Sequence, residues 1–325
     1  MESDYNEANE SSPLNLMPRH RELIPTPCGP MKQCSELSFL EKSFVTATIL
    51  SLFAVSAVTI KSIISQVKTD STGQTQEDFT ISMIQLIGIV FCFYYVLRGT
   101  FQENRQELIA FILSILLVVI RSVVNFSSAT PKEREELKIR FGFILGFGVF
   151  LMIISIVYLA MSPSMMAFRV SGAMESDQSQ YVTMNLCFSM VTFDLQAQLC
   201  LCVLVLTSGV HHVSHMHARI LGVGIIWAIL KAAIGLIAIL KGKKVLVWIF
   251  MVQNLPELAY LGYLLHLVIT EWGLNGTYVL EAGAVTGAFI SVAIKVGLVW
   301  SMIQVSRCFG QRLHKRMFNS MEPSP

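Results

Sequence analysis

Charged residues are scarce in this chain. Only 14% of its 325 residues are Asp, Glu, Lys or Arg, whereas soluble globular proteins carry roughly 25%. Hydrophobic residues make up 53% of the chain, and the mean hydropathy is +0.59. This balance argues against a soluble globular domain and against a disordered chain, because both expose far more charge. The composition therefore predicts a multi-pass membrane protein.

Several other features are missing. The 24 basic and 22 acidic residues leave a net charge of only +2, which excludes a strongly basic nucleic-acid binder. Four of the seven cysteines fall inside apolar segments, so no extracellular disulfide framework is implied. Residues 1–43 contain no apolar h-region, and we therefore expect no cleavable signal peptide. No hydrolase, metalloprotease, nucleotide-binding or dinucleotide-binding motif is found, so the sequence does not indicate an enzyme.

Eight apolar stretches are long enough to cross a bilayer, which takes about 20 helical residues. The predicted spans are Phe44–Ile64, Phe79–Leu97, Glu107–Phe126, Phe141–Met161, Val182–Ser208, Arg219–Leu240, Val245–Ile269 and Tyr278–Ile303. They predict an all-α transmembrane helix bundle with short loops over residues 39–304, preceded by a disordered segment (1–38) and followed by a short basic tail (305–325). Seven spans are the alternative, because Gln85 interrupts the second stretch.

The distribution of basic residues predicts the orientation. Most Lys and Arg residues outside the spans lie on the N-terminal side, which places both termini in the cytosol of a cell whose plasma membrane or endomembrane holds the protein. The loop at 130–140 weakens this argument, because it also carries four basic residues. Asn275-Gly-Thr277 is a sequon in a predicted non-cytosolic loop without Lys or Arg, and it indicates possible N-glycosylation of Asn275.

Ionisable residues lie near the middle of four predicted spans. Charges in the bilayer centre are costly and persist where they are paired or hydrated. Asp194, Lys231 and Glu257 lie near the centres of spans five, six and seven, and Lys295 lies deep in span eight. Amide side chains share the same helix faces at spacings of three and four residues. The candidate intramembrane polar site comprises Asp194, Gln198, Lys231, Gln253, Asn254, Glu257 and Lys295.

Two functions fit this set. In a transporter or channel-like protein, Asp194 and Glu257 carry protons or cations, and the lysines tune their protonation. Pro256 favours this interpretation, because it interrupts a helix beside an acid, as in transporter binding sites. In a non-transporting receptor or scaffold, the same charges fix the helix register. The two classes differ in whether a substitution of Glu257 removes a flux or only stability.

Three smaller motifs each have an unremarkable alternative. His211 and His215 are four residues apart, which suits two zinc ligands on one helix face or a pH sensor, although a plain interfacial loop also explains them. Cys308 directly follows the last span, where palmitoylation occurs, and an unmodified thiol is the default. The basic tail suits anionic lipid heads.

Small residues mark close helix contacts. Gly142-xxx-Gly146 and Gly283-xxx-Gly287 let two helix backbones approach, either within the chain or in a homodimer. No internal repeat is found when spans one to four are compared with spans five to eight. Beyond the lipid bilayer, the sequence identifies no partner.

Three segments carry a resemblance. Phe91-Cys-Phe-Tyr-Tyr-Val-Leu-Arg-Gly99, Val191-Thr-Phe-Asp-Leu-Gln-Ala-Gln-Leu199 and Leu255-Pro-Glu-Leu-Ala-Tyr260 resemble segments of an uncharacterised family of eukaryotic multi-pass membrane proteins, known as a domain of unknown function. The resemblance spans roughly Ser35 to the last helix. It implies a membrane-embedded helical fold and no particular activity.

Overall fold

Eight long helices form the protein. The computed structural model describes residues 24–26, 29–68, 73–128, 131–161, 166–167, 175–208, 215–270 and 278–309. The helices are α1 Phe39–Lys68, α2 Gly73–Phe101, α3 Arg105–Ser128, α4 Pro131–Met161, α5 Glu175–Ser208, α6 His215–Lys241, α7 Lys244–Thr270 and α8 Tyr278–Cys308. Each helix contains a stretch long and apolar enough to cross a membrane, which confirms the predicted bundle with eight spans.

Local sequence signals explain where these helices begin and end. Ser38 and Glu41 form a capping box at the start of α1: the Glu41 amide donates to Ser38 Oγ at 3.2 Å, and the Ser38 amide donates to Glu41 Oε2 at 2.7 Å. Gly242 ends α6 with φ of 58°, a left-handed conformation that glycine adopts easily. Pro256 lies inside α7 without ending it, which is tolerated where neighbouring helices satisfy the freed carbonyl.

The helices close into two rings of four. Helices α1 to α4 pack in sequence order, and α4 returns to α1; helices α5 to α8 repeat this arrangement, with α8 returning to α5. We call these rings the N-terminal unit and the C-terminal unit. They meet where α5 packs on α2 and α3, and where α3 contacts α8. Each span is therefore part of a four-helix ring.

Each unit has its own apolar core. The N-terminal core includes Tyr95 and Phe111, and the C-terminal core includes Phe188 and Phe250, all with at most 1% of their surface exposed. Other large apolar side chains, such as Trp248, point outward. In a bilayer these outward side chains face lipid, because lipid tails are as apolar as the side chains themselves.

A short hairpin and an ion-pair cluster close one end of the N-terminal unit. Strands β1 (Ile24–Thr26) and β2 (Gly29–Met31) pair antiparallel, and the next amide, of Lys32, donates to Phe101 O at 2.9 Å. The Lys32 ammonium pairs with Glu41 at 3.1 Å and with Glu103. We call Lys32, Glu41 and Glu103 the end latch.

The end latch also reaches the segment between the two units. Glu103 Oε2 accepts a hydrogen bond from the Met166 amide at 2.7 Å. Burial lowers the pKa of Lys32, but hydrogen bonds and attraction from Glu103 and Glu41 outweigh burial and raise that pKa above its ordinary 10.5. The hairpin belongs to the predicted disordered segment 1–38; residues 1–23 lie outside the described part of the chain, and the predicted domain limits stay predictions.

Candidate intramembrane charge site

Each helix of the C-terminal unit contributes one charged side chain to a single cluster. The members are Asp194 of α5, Lys231 of α6, Glu257 of α7 and Lys295 of α8. Lys231 Nζ lies 2.7 Å from Asp194 Oδ2 and 2.5 Å from Glu257 Oε2. Lys295 Nζ lies 3.0 Å from Asp194 Oδ1 and 2.5 Å from Glu257 Oε2. The four groups form a closed ring of alternating charge, which we call the charge quartet.

The charge quartet is buried and formally neutral. Asp194, Lys231 and Lys295 each expose at most 2% of their surface, whereas the Glu257 side chain exposes 12%. An isolated charge at this depth costs several kcal/mol, and pairing offsets much of that cost. Two acids and two bases in mutual contact are therefore the arrangement that a low-dielectric interior tolerates. Glu257 is the member with the most access to the surroundings.

Two further side chains hold the carboxylates. Gln198 Nε2 donates to Asp194 Oδ2 at 2.6 Å and to Glu257 Oε2 at 2.8 Å. Trp227 Nε1 donates to Glu257 Oε1 at 3.1 Å, while 40% of the Trp227 surface stays exposed. Glu257 Oε2 thus accepts from two lysines and an amide, and Oε1 accepts from the indole. Each carboxylate is fixed by neutral as well as charged donors.

Two of the predicted residues lie beside the charge quartet and outside its ion pairs. Asn254 Nδ2 donates to Phe250 O of its own helix at 2.8 Å. The buried oxygens Gln253 Oε1, Asn254 Oδ1 and Ser291 Oγ have no hydrogen-bond partner among the described residues. Asn254 precedes Glu257 by almost one turn, and Ser291 precedes Lys295 by one turn on α8, which runs antiparallel to α7. Because buried polar atoms normally have partners, these oxygens mark places on both sides of the charge quartet where water or a solute can bond.

Sequence reasoning missed Trp227. An indole halfway along an apolar helix is usually interpreted as a lipid-facing aromatic, and nothing in its spacing points to Glu257. The signal that was available is its position four residues before Lys231, on the same face of α6. Aromatic N–H groups on the face that carries an intramembrane charge are candidate donors to that charge's partner.

The other predicted sites remain untested. His211 and Asn275 lie outside the described residues, and the side chain of His215, the first residue of α6, lies outside them too. Cys308 ends α8, where its half-buried thiol donates to Gln304 O at 3.4 Å. Zinc binding, glycosylation and acylation stay predictions.

The two glycine motifs have different surroundings. A Cβ at Gly287 lies 3.2 Å from Leu201 Cδ2, so Gly283-xxx-Gly287 packs α8 within the C-terminal unit. A Cβ at Gly142 or Gly146 meets nothing within 4 Å. The α4 motif therefore faces outward, and the predicted homodimer through it stays a prediction.

Comparison with known sequences identifies the family but no activity. The sequence model of the family described as Domain of unknown function (DUF7789) matches residues 28–161 and 171–304. The chain therefore belongs to this family, which confirms the resemblance to an uncharacterised family. No curated protein matches the chain, and no solved structure matches it.

The double match overturns the prediction of no internal repeat. Residue 171 of the second match corresponds to residue 28 of the first, a shift of 143 residues. The same shift superposes Arg98-Gly99 on Lys241-Gly242 at the ends of α2 and α6, and it pairs buried positions with buried positions. Examples of such pairs are Phe44 and Cys187, Thr48 and Val191, Ile89 and Ala232, Val96 and Ile239, Leu151 and Ile294, and Ser155 and Leu298. The repeat was missed because the halves share burial more than residue identity.

The repeat also locates the counterparts of the charge quartet. With the shift of 143 residues, the counterparts are Ser51, Gly88, Ser114 and Met152. None of the four is ionisable. The N-terminal unit therefore adopts the same ring of four helices without any charge at the positions of the charge quartet.

Proposed function

We propose that the protein is a transporter or channel-like protein in which the charge quartet of the C-terminal unit carries protons or small cations. The chain is a multi-pass membrane protein, as its eight apolar helices indicate. The proposal concerns what the charges add to that fold. It places the working site in the C-terminal unit and leaves the N-terminal unit as its support.

One observation carries the proposal. The N-terminal unit forms the same four-helix ring with Ser51, Gly88 and Ser114 at three of the positions where the C-terminal unit has charges. Charge is therefore not a requirement of this ring. Because buried ion pairs are often no more stabilising than apolar residues of similar volume, four of them in one ring are better explained by a role beyond packing.

The geometry assigns different roles to the two acids. Glu257 is the more exposed carboxylate, and its Oε2 receives both lysines, so a proton or cation at this oxygen competes directly with Lys231 and Lys295. Asp194 contacts the same lysines through two separate oxygens, so it keeps both of them when Glu257 is neutralised. The exchange then loosens α7 while α5, α6 and α8 stay joined.

The surroundings supply the polar groups that such a path needs. The unpartnered oxygens of Asn254 and Ser291 lie on either side of the charge quartet along the bundle. Pro256 removes one backbone donor from α7 beside Glu257, so a carbonyl of the preceding turn requires another partner. Water at these groups provides a hydrogen-bonded route toward Glu257 from each side.

A second function is favoured by the completeness of the pairing. All four charges are in contact with opposite charges, and the charge quartet has no net charge. In a receptor or scaffold, such a ring fixes the register of four helices. The two functions differ in one respect: a scaffold has no flux to lose when Glu257 is neutralised.

The test is ion and proton flux in proteoliposomes that contain the purified full chain. Wild type and Glu257→Gln are compared over a range of pH values and membrane potentials. Glutamine keeps the size of the side chain and two polar atoms but cannot release or bind a proton. We expect flux in the wild type and its loss in Glu257→Gln, with the helical content of the variant unchanged.

The N-terminal unit offers a matched control. Glu107 is a fully buried glutamate of α3, the counterpart of α7, and it pairs with Arg98 at 2.5 Å near the end of the bundle. Glu107→Gln makes the same chemical change outside the charge quartet and should keep the flux. Absence of flux in the wild type, or equal flux in wild type and Glu257→Gln, contradicts the proposal and favours a scaffold.

A further inference from the structure

The turn between α6 and α7 exposes three lysines. Lys241 ends α6, Gly242 and Lys243 form the turn, and Lys244 begins α7. All three lysines are solvent-exposed, and within the described residues none of them pairs with an acid. We call these three lysines the basic turn. It lies at the end of the bundle that also carries the hairpin, because each unit contains an even number of spans.

The equivalent turn of the N-terminal unit is built in the opposite way. Arg98, the counterpart of Lys241, is 4% exposed and turns inward, where it bonds Glu107 and Gln102 at 2.5 and 2.9 Å. The hairpin covers that turn, since the Lys32 amide bonds Phe101 O. The repeat thus neutralises and covers one basic turn and leaves the other bare. Exposed basic charge is a difference that the fold itself does not require.

The side chains next to the basic turn suit a membrane interface. Val245 is 69% exposed and Trp248 is 68% exposed. Trp248 follows Lys244 by four residues, so the indole and the ammonium group share one face of α7. Tryptophan is enriched at the level of lipid headgroups. At the same end of the C-terminal unit, Arg307 adds another exposed cation.

We propose that the basic turn binds the headgroup of an anionic phospholipid in the adjoining leaflet. The lipid phosphate accepts hydrogen bonds from the lysine ammonium groups, and its acyl chains lie along Val245 and Trp248. The predicted cytosolic orientation fits this assignment, because anionic lipids concentrate in the cytoplasmic leaflet. The proposal does not depend on the function of the charge quartet.

The experiment measures how selectively the full chain retains lipid. Wild type and a triple variant, Lys241→Gln with Lys243→Gln and Lys244→Gln, are placed in nanodiscs of phosphatidylcholine that contain spin-labelled phosphatidylserine or spin-labelled phosphatidylcholine. The immobilised fraction of each labelled lipid gives its relative affinity. We expect wild type to prefer phosphatidylserine and the triple variant to lose about fivefold in relative affinity for each lysine removed. The preference of the wild type should also fall as salt is raised.

The control removes exposed charge from the other unit. Lys42→Gln with Lys61→Gln neutralises two exposed lysines of α1, one toward each end of the helix, and should keep the preference for phosphatidylserine. The basic tail is present in every variant, so its contribution cancels. Equal affinities of wild type and triple variant, or an equal loss in the α1 control, would falsify the assignment to the basic turn.

Discussion

In the N-terminal unit the buried ion pairs with described partners lie at the end of the bundle, whereas in the C-terminal unit they lie in its middle. The end latch joins the hairpin, α1 and the α2–α3 turn, and Arg98 and Glu107 pair beside it. The counterparts of Lys32, Glu41 and Glu103 by the shift of 143 residues are Glu175, Met184 and Leu246, which cannot form this latch. Each unit therefore has a charged cluster that the other lacks.

This difference teaches which part of the sequence determines the fold. Both units keep the apolar periodicity that buries one face of each helix, and both close into a ring. The polar residues inside the ring are interchangeable as long as their charges balance, as Ser51 and Asp194 illustrate at one position of the repeat. Duplication leaves one copy to hold the fold while the other acquires chemistry. The following experiments test this comparison.

The largest effect should come from giving one position of the charge quartet its N-terminal counterpart. Lys295→Met copies Met152 and leaves two buried carboxylates with one lysine. We expect a loss of about 3–5 kcal/mol of stability, because an uncompensated buried charge remains. Thermal or denaturant-induced unfolding of the purified protein in detergent measures the loss.

Replacing all four positions together sharpens the comparison. The combined variant is Asp194→Ser, Lys231→Ala, Glu257→Ser and Lys295→Met, with alanine chosen to avoid a helical glycine. No net or unpaired charge remains, so we expect a smaller loss than from Lys295→Met alone. A combined variant that is less stable than the single one would show that the charges are required for folding, and the two units would then not be interchangeable.

The end latch should give the next largest effect. Lys32→Met leaves Glu41 and Glu103 without their shared cation. We expect a loss of about 1.5–3 kcal/mol, the usual contribution of hydrogen bonds to charged groups, and faster proteolysis of the hairpin. The same substitution at Lys243, which is exposed and unpaired among the described residues, should change stability little. Equal effects of both substitutions would contradict a special role for the end latch.

The sequence predicted the helices well because their signal is strong and local. Apolar stretches of about 20 residues have few alternatives to a membrane-spanning helix. The start of α5 was placed at Val182 instead of Glu175 because the first turns carry polar residues such as Asp177 and Gln178, and hydropathy does not detect polar helical turns beyond the membrane.

The charge quartet was partly predictable, and the repeat was not. Four intramembrane charges at similar depth indicate pairing, since each is costly alone, and the structure brings Asp194, Lys231, Glu257 and Lys295 together. Which oxygen each lysine contacts depends on helix rotation, and one sequence does not reveal it. The repeat escaped detection because hydrophobic residues substitute for one another freely in lipid-facing and core positions.

A smaller effect should distinguish the two turns. Gly242 has a φ of 58°, so Gly242→Ala should cost about 1–2 kcal/mol from the left-handed backbone alone. Gly262, a helical glycine of α7 whose added Cβ meets nothing within 4 Å, supplies the control: Gly262→Ala should be neutral or slightly stabilising. Unfolding midpoints of both variants measure the contrast. No loss in Gly242→Ala would mean that this turn tolerates a different backbone conformation.

The smallest effect concerns the pH dependence of the end latch. The pKa of Lys32 is raised above its ordinary 10.5 by Glu103 and Glu41, so the folded state binds this proton more tightly than the unfolded state does. The stabilisation is therefore complete below the unfolded pKa and is lost as the pH rises through the folded pKa. The difference in unfolding free energy between wild type and Lys32→Met should stay constant from about pH 8 to about pH 10 and shrink above that range, by about 1.4 kcal/mol for each unit that separates the two pKa values. The Lys243→Met variant should show no such change relative to wild type, because its ammonium is exposed and gains no partner among the described residues on folding. A difference that already declines below about pH 10 would mean that burial outweighs the two carboxylates at Lys32, and the end latch would then hold the hairpin by packing instead of by charge.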